Sequence, residues 1–136
     1  MFQESSGYWF EELRSLRSVF VHDGDTKTPH ALLTGGLHSN GYFNSSAIQH
    51  AYQWDCIAEA FSDFHFIPLA VQPDAVFGSA FGAIPLVYAV SRIFDCKFGY
   101  TEPAYDPSLS RKSMRLQRFS VHPGEKIMVV DYAFTT

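Results

Sequence analysis

Cysteine is scarce in this chain, and long hydrophobic runs are missing from it. The two cysteines, Cys56 and Cys96, lie far apart and show no C-x-x-C spacing, which indicates reduced thiols rather than a disulfide framework or a redox motif. No stretch approaches the roughly 20 apolar residues of a transmembrane helix. Because the N-terminus also lacks the basic and apolar regions of a signal peptide, the sequence predicts a cytoplasmic protein without a membrane partner.

Positive charge and metal-ligand spacings are in short supply as well. The chain has 10 Lys and Arg against 14 Asp and Glu, which gives a net charge of −4 and an isoelectric point near 5.8. This balance gives no support to a nucleic-acid partner. The 6 histidines show no H-x-x-x-H or related spacing, so no metal ion bound directly by the protein is expected. His38 alone lies in a segment of interest, and the others are expected on the surface or hydrogen-bonded in the core.

Aromatic residues are plentiful instead. The 136 residues include 13 Phe and 7 Tyr, and hydrophobic residues make up 46% of the chain against 18% for charged ones. These proportions are typical of a globular protein. A chain of this length predicts one domain over residues 1–136, which buries roughly two thirds of the surface of the unfolded chain.

The order of the predicted elements favours an α/β fold. Apolar residues at helical spacing predict helices over residues 9–20, 54–61 and 82–94, and Ser5 or Ser6 is placed to cap the first. Short apolar runs predict strands at 31–34, 74–77, 97–100, 114–121 and 127–130, with a hairpin around Gly35 and Gly36 and a loop over 102–112. Helices that alternate with strands after residue 50 predict a mostly parallel sheet flanked by helices.

Two predicted strand ends are suited to a phosphorylated sugar. The strand that ends at Gly78 is followed by a loop of small residues and a helix from Gly82, so that backbone N–H groups can approach a pyrophosphate. The last strand leads to Asp131, whose carboxylate can accept two hydrogen bonds from vicinal ribose hydroxyls. A plain strand-to-helix turn and a capping aspartate remain the structural alternatives. Because the first loop matches neither G-x-G-x-x-G nor G-x-S-x-G, Ser79 is a poor candidate for a hydrolase nucleophile.

Two further segments are candidates for binding an anion. Segment 33–43 combines glycine N–H groups, hydroxyls, an imidazole and aromatic rings, which suits a planar anionic ring stacked on Tyr42 or Phe43. An ordinary hairpin turn is the alternative there. Segment 111–118 holds four of the 10 basic residues of an acidic chain, which indicates either an anion site or a solvated loop and edge strand.

Taken in order, these segments resemble the orotate phosphoribosyltransferase family, a branch of the type I phosphoribosyltransferases. Residues 33–42 match its motif L-[ST]-S-G-L-H-S-x-x-Y, and residues 74–84 match its pyrophosphate loop D-x-V-x-G-P-A-x-G-G-I. Residues 114–119 and 123–136 match M-x-L-R-R-G-F and P-G-E-x-V-L-V-V-E-D-V-x-T-T-G-G-S, and the second of these motifs continues beyond Thr136. The resemblance covers nearly the whole chain from about residue 8.

The resemblance implies an α/β fold of the type I phosphoribosyltransferase kind. It also implies that the C-terminal part is missing, because the chain stops within the motif that binds 5-phosphoribosyl 1-pyrophosphate (PRPP). The expected activity is that of a pentosyl-class glycosyltransferase of pyrimidine nucleotide biosynthesis. Such an enzyme transfers ribose 5-phosphate from PRPP to orotate and yields orotidine 5′-phosphate and pyrophosphate. The resemblance implies Mg²⁺, carried by the pyrophosphate of PRPP, and a homodimer.

The resemblance also implies roles for individual residues. Asp131 holds the ribose hydroxyls and is the residue assigned to catalysis, while Thr135 and Thr136 begin the loop for the 5-phosphate. Arg118 meets a phosphate or the orotate carboxylate, across a dimer interface as in the family. The other substrate-binding residues are Gly36, His38, Ser39 and Phe43 on the orotate side, and Gly78, Ser79, Ala80, Phe81 and Gly82 around the pyrophosphate.

The chain departs from the family pattern at several positions. The acidic pair at the end of the last strand is Asp131 and Tyr132 here, so one carboxylate is lost, and the proline of the pyrophosphate loop is Ser79. A serine, a glycine and a basic residue of the family are replaced by Gly35, Ala83 and Pro103. Two other functions therefore stay open. One is a non-catalytic relative that binds PRPP or a nucleotide for regulation, and the other is a remnant that folds and dimerises without a ligand.

Overall fold

A computed structural model describes residues 2–33, 35–63, 72–108 and 110–132. The chain forms two compact units, Met1–Gln49 and His50–Thr136. Among the described residues, the first unit contains one α-helix and two pairs of short strands, and the second contains two α-helices and a four-stranded sheet. No helix in these ranges is long and apolar enough to cross a membrane. The expectation of one domain over residues 1–136 stays a prediction.

The first unit begins with helix α1 (Phe2–Ser15) and continues with antiparallel strands. These are β1 (Val19–Val21), β2 (Ala31–Leu32), β3 (His38–Ser39) and β4 (Gly41–Phe43). β1 pairs with β4, and β2 pairs with β3. In the turn between β2 and β3, the N–H of Leu33 donates to the carbonyl of Leu37 at 2.8 Å. The predicted hairpin in this segment is therefore confirmed.

Helix α1 ends in a left-handed turn. The N–H of Arg17 donates to the carbonyl of Arg14 at 2.9 Å, and the N–H of Ser18 donates to the carbonyl of Leu13 at 3.0 Å. Arg17 itself has a φ of 56°. This pair of bonds around a left-handed residue is a Schellman motif, which terminates a helix.

Two expectations for this helix are wrong. The helix predicted over residues 9–20 ends at Ser15, and Phe20 lies in strand β1. Ser5 and Ser6 do not cap the helix, because it begins before them. The helical spacing of apolar residues continues to Phe20, although Phe20 lies in a strand. Periodicity alone therefore does not reveal where the helix ends.

The second unit is an α/β layer arrangement. Its elements are α2 (Ala51–Asp63), β5 (Ala75–Ser79), α3 (Ile84–Phe94), β6 (Lys97–Asp106), β7 (Arg111–Arg115) and β8 (Ile127–Val129). The strand order is β7-β6-β5-β8. β5 runs parallel to both of its neighbours, whereas β6 and β7 are antiparallel. The predicted mostly parallel sheet with helices is confirmed.

Strand β5 lies at the centre of the core of this unit. Residues 75–78 are all buried, and α3 packs on β5. Leu86 and Val90 of α3 are each 1% exposed. α2 packs against α3 and contributes the buried ring of Trp54. Pro85 lies in the first turn of α3, where its missing N–H costs no helical hydrogen bond.

The hairpin of β6 and β7 is the largest departure from the predicted elements. β6 continues to Asp106 and pairs with β7, so the loop predicted over residues 102–112 is wrong except at the turn. The pairing of β5 with β6 ends before Pro103. On the side of β6 that faced β5, no described strand lies next to Pro103, so the ladder does not need the N–H that proline lacks. β7 ends at Arg115, so the strand predicted over residues 114–121 is also wrong for its larger part.

Candidate functional site

The candidate site lies at the carboxyl edge of the parallel strands β5 and β8. The register pairs Phe77 with Val129, and the N–H of Val130 donates to the carbonyl of Phe77 at 2.9 Å. Two residues further along each strand, the same register brings Ser79 beside Asp131. Ligands bind at this edge of parallel α/β sheets, because the strands end there and the connecting loops begin.

Two donors hold the carboxylate of Asp131. The hydroxyl of Ser79 donates to Oδ2, and the backbone N–H of Tyr132 donates to Oδ1 at 2.8 Å. Asp131 and Ser79 are both half-buried. Because hydrogen bonds to a charged acceptor are strong, these donors give the carboxylate a defined orientation.

The loop after β5 leaves backbone donors open. The N–H groups of Ala80 and Ala83 donate to backbone carbonyls at 2.8 and 3.2 Å, and the peptide bond between Ala80 and Phe81 is cis. For the part of the chain that the structure describes, the N–H groups of Phe81 and Gly82 have no hydrogen-bond acceptor. Both precede the N-terminus of α3, whose partial positive charge favours an anion.

Gly78 serves the packing of the sheet. A Cβ atom at this position would lie 2.5 Å from the carbonyl oxygen of Val130 and 2.5 Å from Cγ2 of Val87. Both distances are far below van der Waals contact, so the glycine lets β5 approach β8 and α3. Gly78 itself is buried, and its predicted contact with a substrate stays a prediction.

Gly82 is covered by an aromatic ring. The hydroxyl end of Tyr132 occupies the position that a Cβ atom would take at Gly82. Tyr132 stands where the family pattern has a second acid, and it is half-buried. The site therefore brings together Ser79, Gly82, Asp131 and Tyr132, which supply one carboxylate, one phenol and a loop with open N–H groups.

Arg118 is paired within the fold. Its Nε donates to Oε2 of Glu102 at 2.9 Å, and this hydrogen bond raises the pKa of the guanidinium. The side chain of Arg118 is 67% exposed, whereas that of Glu102 is only 15% exposed. A phosphate or carboxylate must displace Glu102 to bind Arg118 through Nε, and the predicted role of Arg118 stays a prediction.

Arg115, from the same basic segment, is also neutralised. Its Nη2 donates to Oδ2 of Asp106 at 2.5 Å, and the hydroxyl of Ser108 donates to Oδ1 at 2.5 Å. The Ser108 hydroxyl, followed by the Arg115 guanidinium, lowers the pKa of Asp106 to about 2. Arg115 and Arg118 therefore both face carboxylates, and the predicted anion site in segment 111–118 stays a prediction.

The residues predicted to bind orotate lie in the first unit. Gly36 has a φ of 79°, a left-handed conformation that glycine adopts without strain, and its N–H donates to the carbonyl of Leu33 at 2.8 Å. His38 and Ser39 form β3, and Phe43 ends β4. The predicted hairpin is present, and the binding roles of its residues stay predictions.

Three histidines of this unit form a group that no ligand spacing predicts. The rings of His22 and His30 stack with centroids 4.1 Å apart, and His38 meets His30 edge-on at 6.5 Å. Nδ1 of His30 lies 2.7 Å from Oδ1 of Asn40. The equal spacing of positions 22, 30 and 38 is the only signal in the sequence, and it matches no metal motif.

Some residues that the sequence singles out lie outside the part of the chain that the structure describes. Thr135 and Thr136, predicted to begin a phosphate loop, lie outside the described residues, as does Thr34 of the first motif. In the described ranges, no group of three or more His, Cys, Asp and Glu side chains is arranged to hold a metal ion.

Curated proteins with similar sequences share one name. The chain is 32% identical to the orotate phosphoribosyltransferase of Desulforamulus reducens over 119 residues, which are 87% of this chain and 58% of the relative. It is 30% identical to that of a Thermoanaerobacter species over 127 residues, 92% of this chain and 62% of the relative. The chain is therefore similar in sequence to orotate phosphoribosyltransferases. It spans about six tenths of the length of these relatives, and no family model matches it.

Solved structures confirm the fold of this chain. The enzyme of Francisella tularensis aligns with a TM-score of 0.54 and 19% identity, over 93% of this chain and 57% of that chain. The enzyme of Aeropyrum pernix aligns with a TM-score of 0.56 and 17% identity, over 89% of this chain and 62% of that chain. The predicted type I phosphoribosyltransferase-like fold is therefore confirmed, for part of the length of these enzymes.

Proposed function

We propose that the protein acts as an orotate phosphoribosyltransferase, which transfers ribose 5-phosphate from PRPP to orotate and releases pyrophosphate. The observation that carries this proposal is the placement of the Asp131 carboxylate beside the loop 79–83 at one sheet edge. A ribose that bears a pyrophosphate needs an acceptor for its hydroxyls and donors for its phosphate oxygens. The similarity to curated relatives supports the choice of reaction.

The open N–H groups suit the step in which pyrophosphate leaves. In this reaction the bond from C1 of ribose to pyrophosphate breaks through an oxocarbenium-like state as the ring nitrogen of orotate bonds to C1. Catalysis consists mainly of alignment and of stabilising the charge that grows on the leaving group. The N–H groups of Phe81 and Gly82, with the N-terminus of α3, supply positive potential for it. Asp131 holds the ribose hydroxyls and keeps C1 in line.

Mg²⁺ is proposed to enter as part of the substrate complex with PRPP. Bound there, it would neutralise charge on the pyrophosphate. The described residues include no cluster arranged to hold the ion by itself, and phosphate oxygens of a substrate are ligands that this hard cation accepts.

The orotate side of the proposal rests on the first unit. His38 and Ser39 offer polar side chains for a planar carboxylate, Phe43 offers an aromatic ring, and Gly36 shapes the turn between β2 and β3. Arg118 is available to a phosphate or carboxylate once it leaves Glu102. A homodimer in the cytoplasm completes the proposal.

Calorimetric titration with PRPP and Mg²⁺, followed by an assay of orotidine 5′-phosphate formation, tests the proposal. We expect the wild-type chain to bind PRPP and turn it over, and Asp131→Asn to bind it at least about tenfold more weakly. Asp95→Asn is the matched control, because Asp95 is an exposed aspartate at the other end of α3. A wild-type chain that fails to bind PRPP at millimolar concentration contradicts the proposal.

A regulatory relative that binds PRPP or a nucleotide without turnover is the second candidate. The observation that favours it is Tyr132, whose phenol covers Gly82 at the position of the family's second acid. Saturable binding of PRPP without formation of orotidine 5′-phosphate would support this function over the enzyme.

A further inference from the structure

The hydrogen bonds of Asp131 leave a defined set of acceptor positions. A carboxylate offers about four lone-pair sites on its two oxygens. The hydroxyl of Ser79 takes one site on Oδ2, and the N–H of Tyr132 takes one on Oδ1. Each oxygen therefore keeps one acceptor site. Two acceptor sites side by side match the two hydroxyls of a vicinal diol.

The hydroxyl of Ser79 is carried by a rigid part of the fold. Ser79 is the last residue of β5 and lies opposite Thr101 of β6. The N–H of Ala83 donates to the carbonyl oxygen of Ser79 at 3.2 Å. Both Ser79 and Asp131 are half-buried, so their hydrogen bond is partly shielded from water and correspondingly stronger. The proline that the family pattern has at this position offers no side-chain donor.

We propose that Ser79 is a positioning residue that orients the Asp131 carboxylate to receive both hydroxyls of a ribose. Because Tyr132 replaces the second acid of the family pattern, the carboxylate of Asp131 must accept the hydrogen bonds of both ribose hydroxyls. It does so in the one orientation that presents its two remaining acceptor sites to the sugar. The site is thereby selective for ribosyl over 2-deoxyribosyl phosphates. This inference rests on the proposed function, because it assumes that a sugar phosphate binds at Asp131.

Ribose 5-phosphate and 2-deoxyribose 5-phosphate are suitable probes, because they differ in one hydroxyl. In calorimetric titrations, the wild-type chain should bind the deoxy sugar about tenfold more weakly, the effect of one hydrogen bond to a charged acceptor. In Ser79→Ala this ratio should fall to about twofold, mainly through weaker binding of ribose 5-phosphate. Ser79→Thr keeps the hydroxyl and should restore the wild-type ratio.

A matched control separates the role of this hydroxyl from a general loss of stability. The hydroxyl of Ser91 donates to the carbonyl of Tyr88 at 2.8 Å within α3. Ser91→Ala therefore also removes one serine hydrogen bond from the same unit, but none from Asp131. Its sugar ratio should equal that of the wild type. A wild-type ratio near one, or an unchanged ratio in Ser79→Ala, overturns the inference.

Amide hydrogen exchange tests the same hydrogen bond without a ligand. The N–H of Tyr132 donates to Asp131, so its exchange, followed by NMR, should become faster in Ser79→Ala and stay unchanged in Ser79→Thr and Ser91→Ala. If the wild type binds neither sugar phosphate, the proposed function fails, and faster exchange in Ser79→Ala still supports the positioning of the carboxylate. Unchanged exchange in Ser79→Ala overturns that positioning, whatever the chain binds.

Discussion

The contact between Gly82 and Tyr132 makes a specific prediction about stability. The phenol occupies the position of the Cβ atom that Gly82 lacks, and the glycine has no left-handed φ that would account for it. Gly82→Ala must therefore displace the ring of Tyr132. Such overpacking costs about 1–3 kcal/mol, whereas a Gly→Ala change in unstrained backbone otherwise gains about 0.4–1 kcal/mol.

A double-mutant cycle with Tyr132→Ala separates the two effects. In the wild-type background, Gly82→Ala should lower the free energy of unfolding by about 2 kcal/mol, which corresponds to a fall in Tm of roughly 6–8 °C for a chain of this length. In the Tyr132→Ala background, the same change should be neutral or stabilising by up to about 1 kcal/mol. The coupling free energy between the two positions is then about 2–3 kcal/mol.

Urea unfolding of the wild type, the two single variants and the double variant, followed by circular dichroism, measures this cycle. Gly35→Ala is the matched control, because a Cβ atom at Gly35 meets nothing within 4 Å and its φ is not left-handed. Its free energy of unfolding should stay close to that of the wild type. Equal losses from Gly82→Ala in both backgrounds would refute the contact, and the regulatory candidate would then lose its supporting observation.

Three further outcomes are expected. Gly78→Ala should lower the free energy of unfolding by about 3 kcal/mol in urea titrations, because its Cβ would meet the backbone oxygen of Val130 at 2.5 Å. The Ser108 hydroxyl leads the contacts that lower the pKa of Asp106 from 3.8 to about 2. The stability that Asp106 contributes is therefore full above pH 3.8 and lost as the pH falls to about 2, and Asp106→Asn should flatten acid unfolding curves between these values. Burial, followed by nearby aspartates, raises the pKa of Cys96, so iodoacetamide should alkylate it more slowly than free cysteine near neutral pH, as measured by mass spectrometry.

Local patterns predicted the elements of the second unit where hydrophobicity and turn residues agree. Helices α2 and α3 and strand β5 occur where apolar spacing, glycine and proline indicate them. The prediction failed where a partner strand or a backbone conformation decides where an element ends. β6 continues through Pro103 because β7 pairs with it there. α1 ends at Ser15 because Arg17 takes a left-handed conformation that its side chain does not favour.

The unit that carries the residues predicted to bind orotate shows the same limit of local patterns. The hairpin that carries Gly36 and His38 follows from its glycines and short apolar runs, so its existence was predictable. The stacking of His22 on His30 was not, because it depends on how β1 and β4 align with β2 and β3 rather than on any local spacing.

The sequence by itself shows which chemical groups the candidate site carries. It shows an acid after the last strand, a tyrosine in place of a second acid, and a glycine-containing loop before a helix. Only the folded chain shows that Ser79 donates to Asp131, that Tyr132 covers Gly82, and that Arg118 is paired. The physical reason is that the parallel pairing of β5 with β8 joins residues 52 positions apart. No local pattern specifies which strand becomes the neighbour or in which register it pairs.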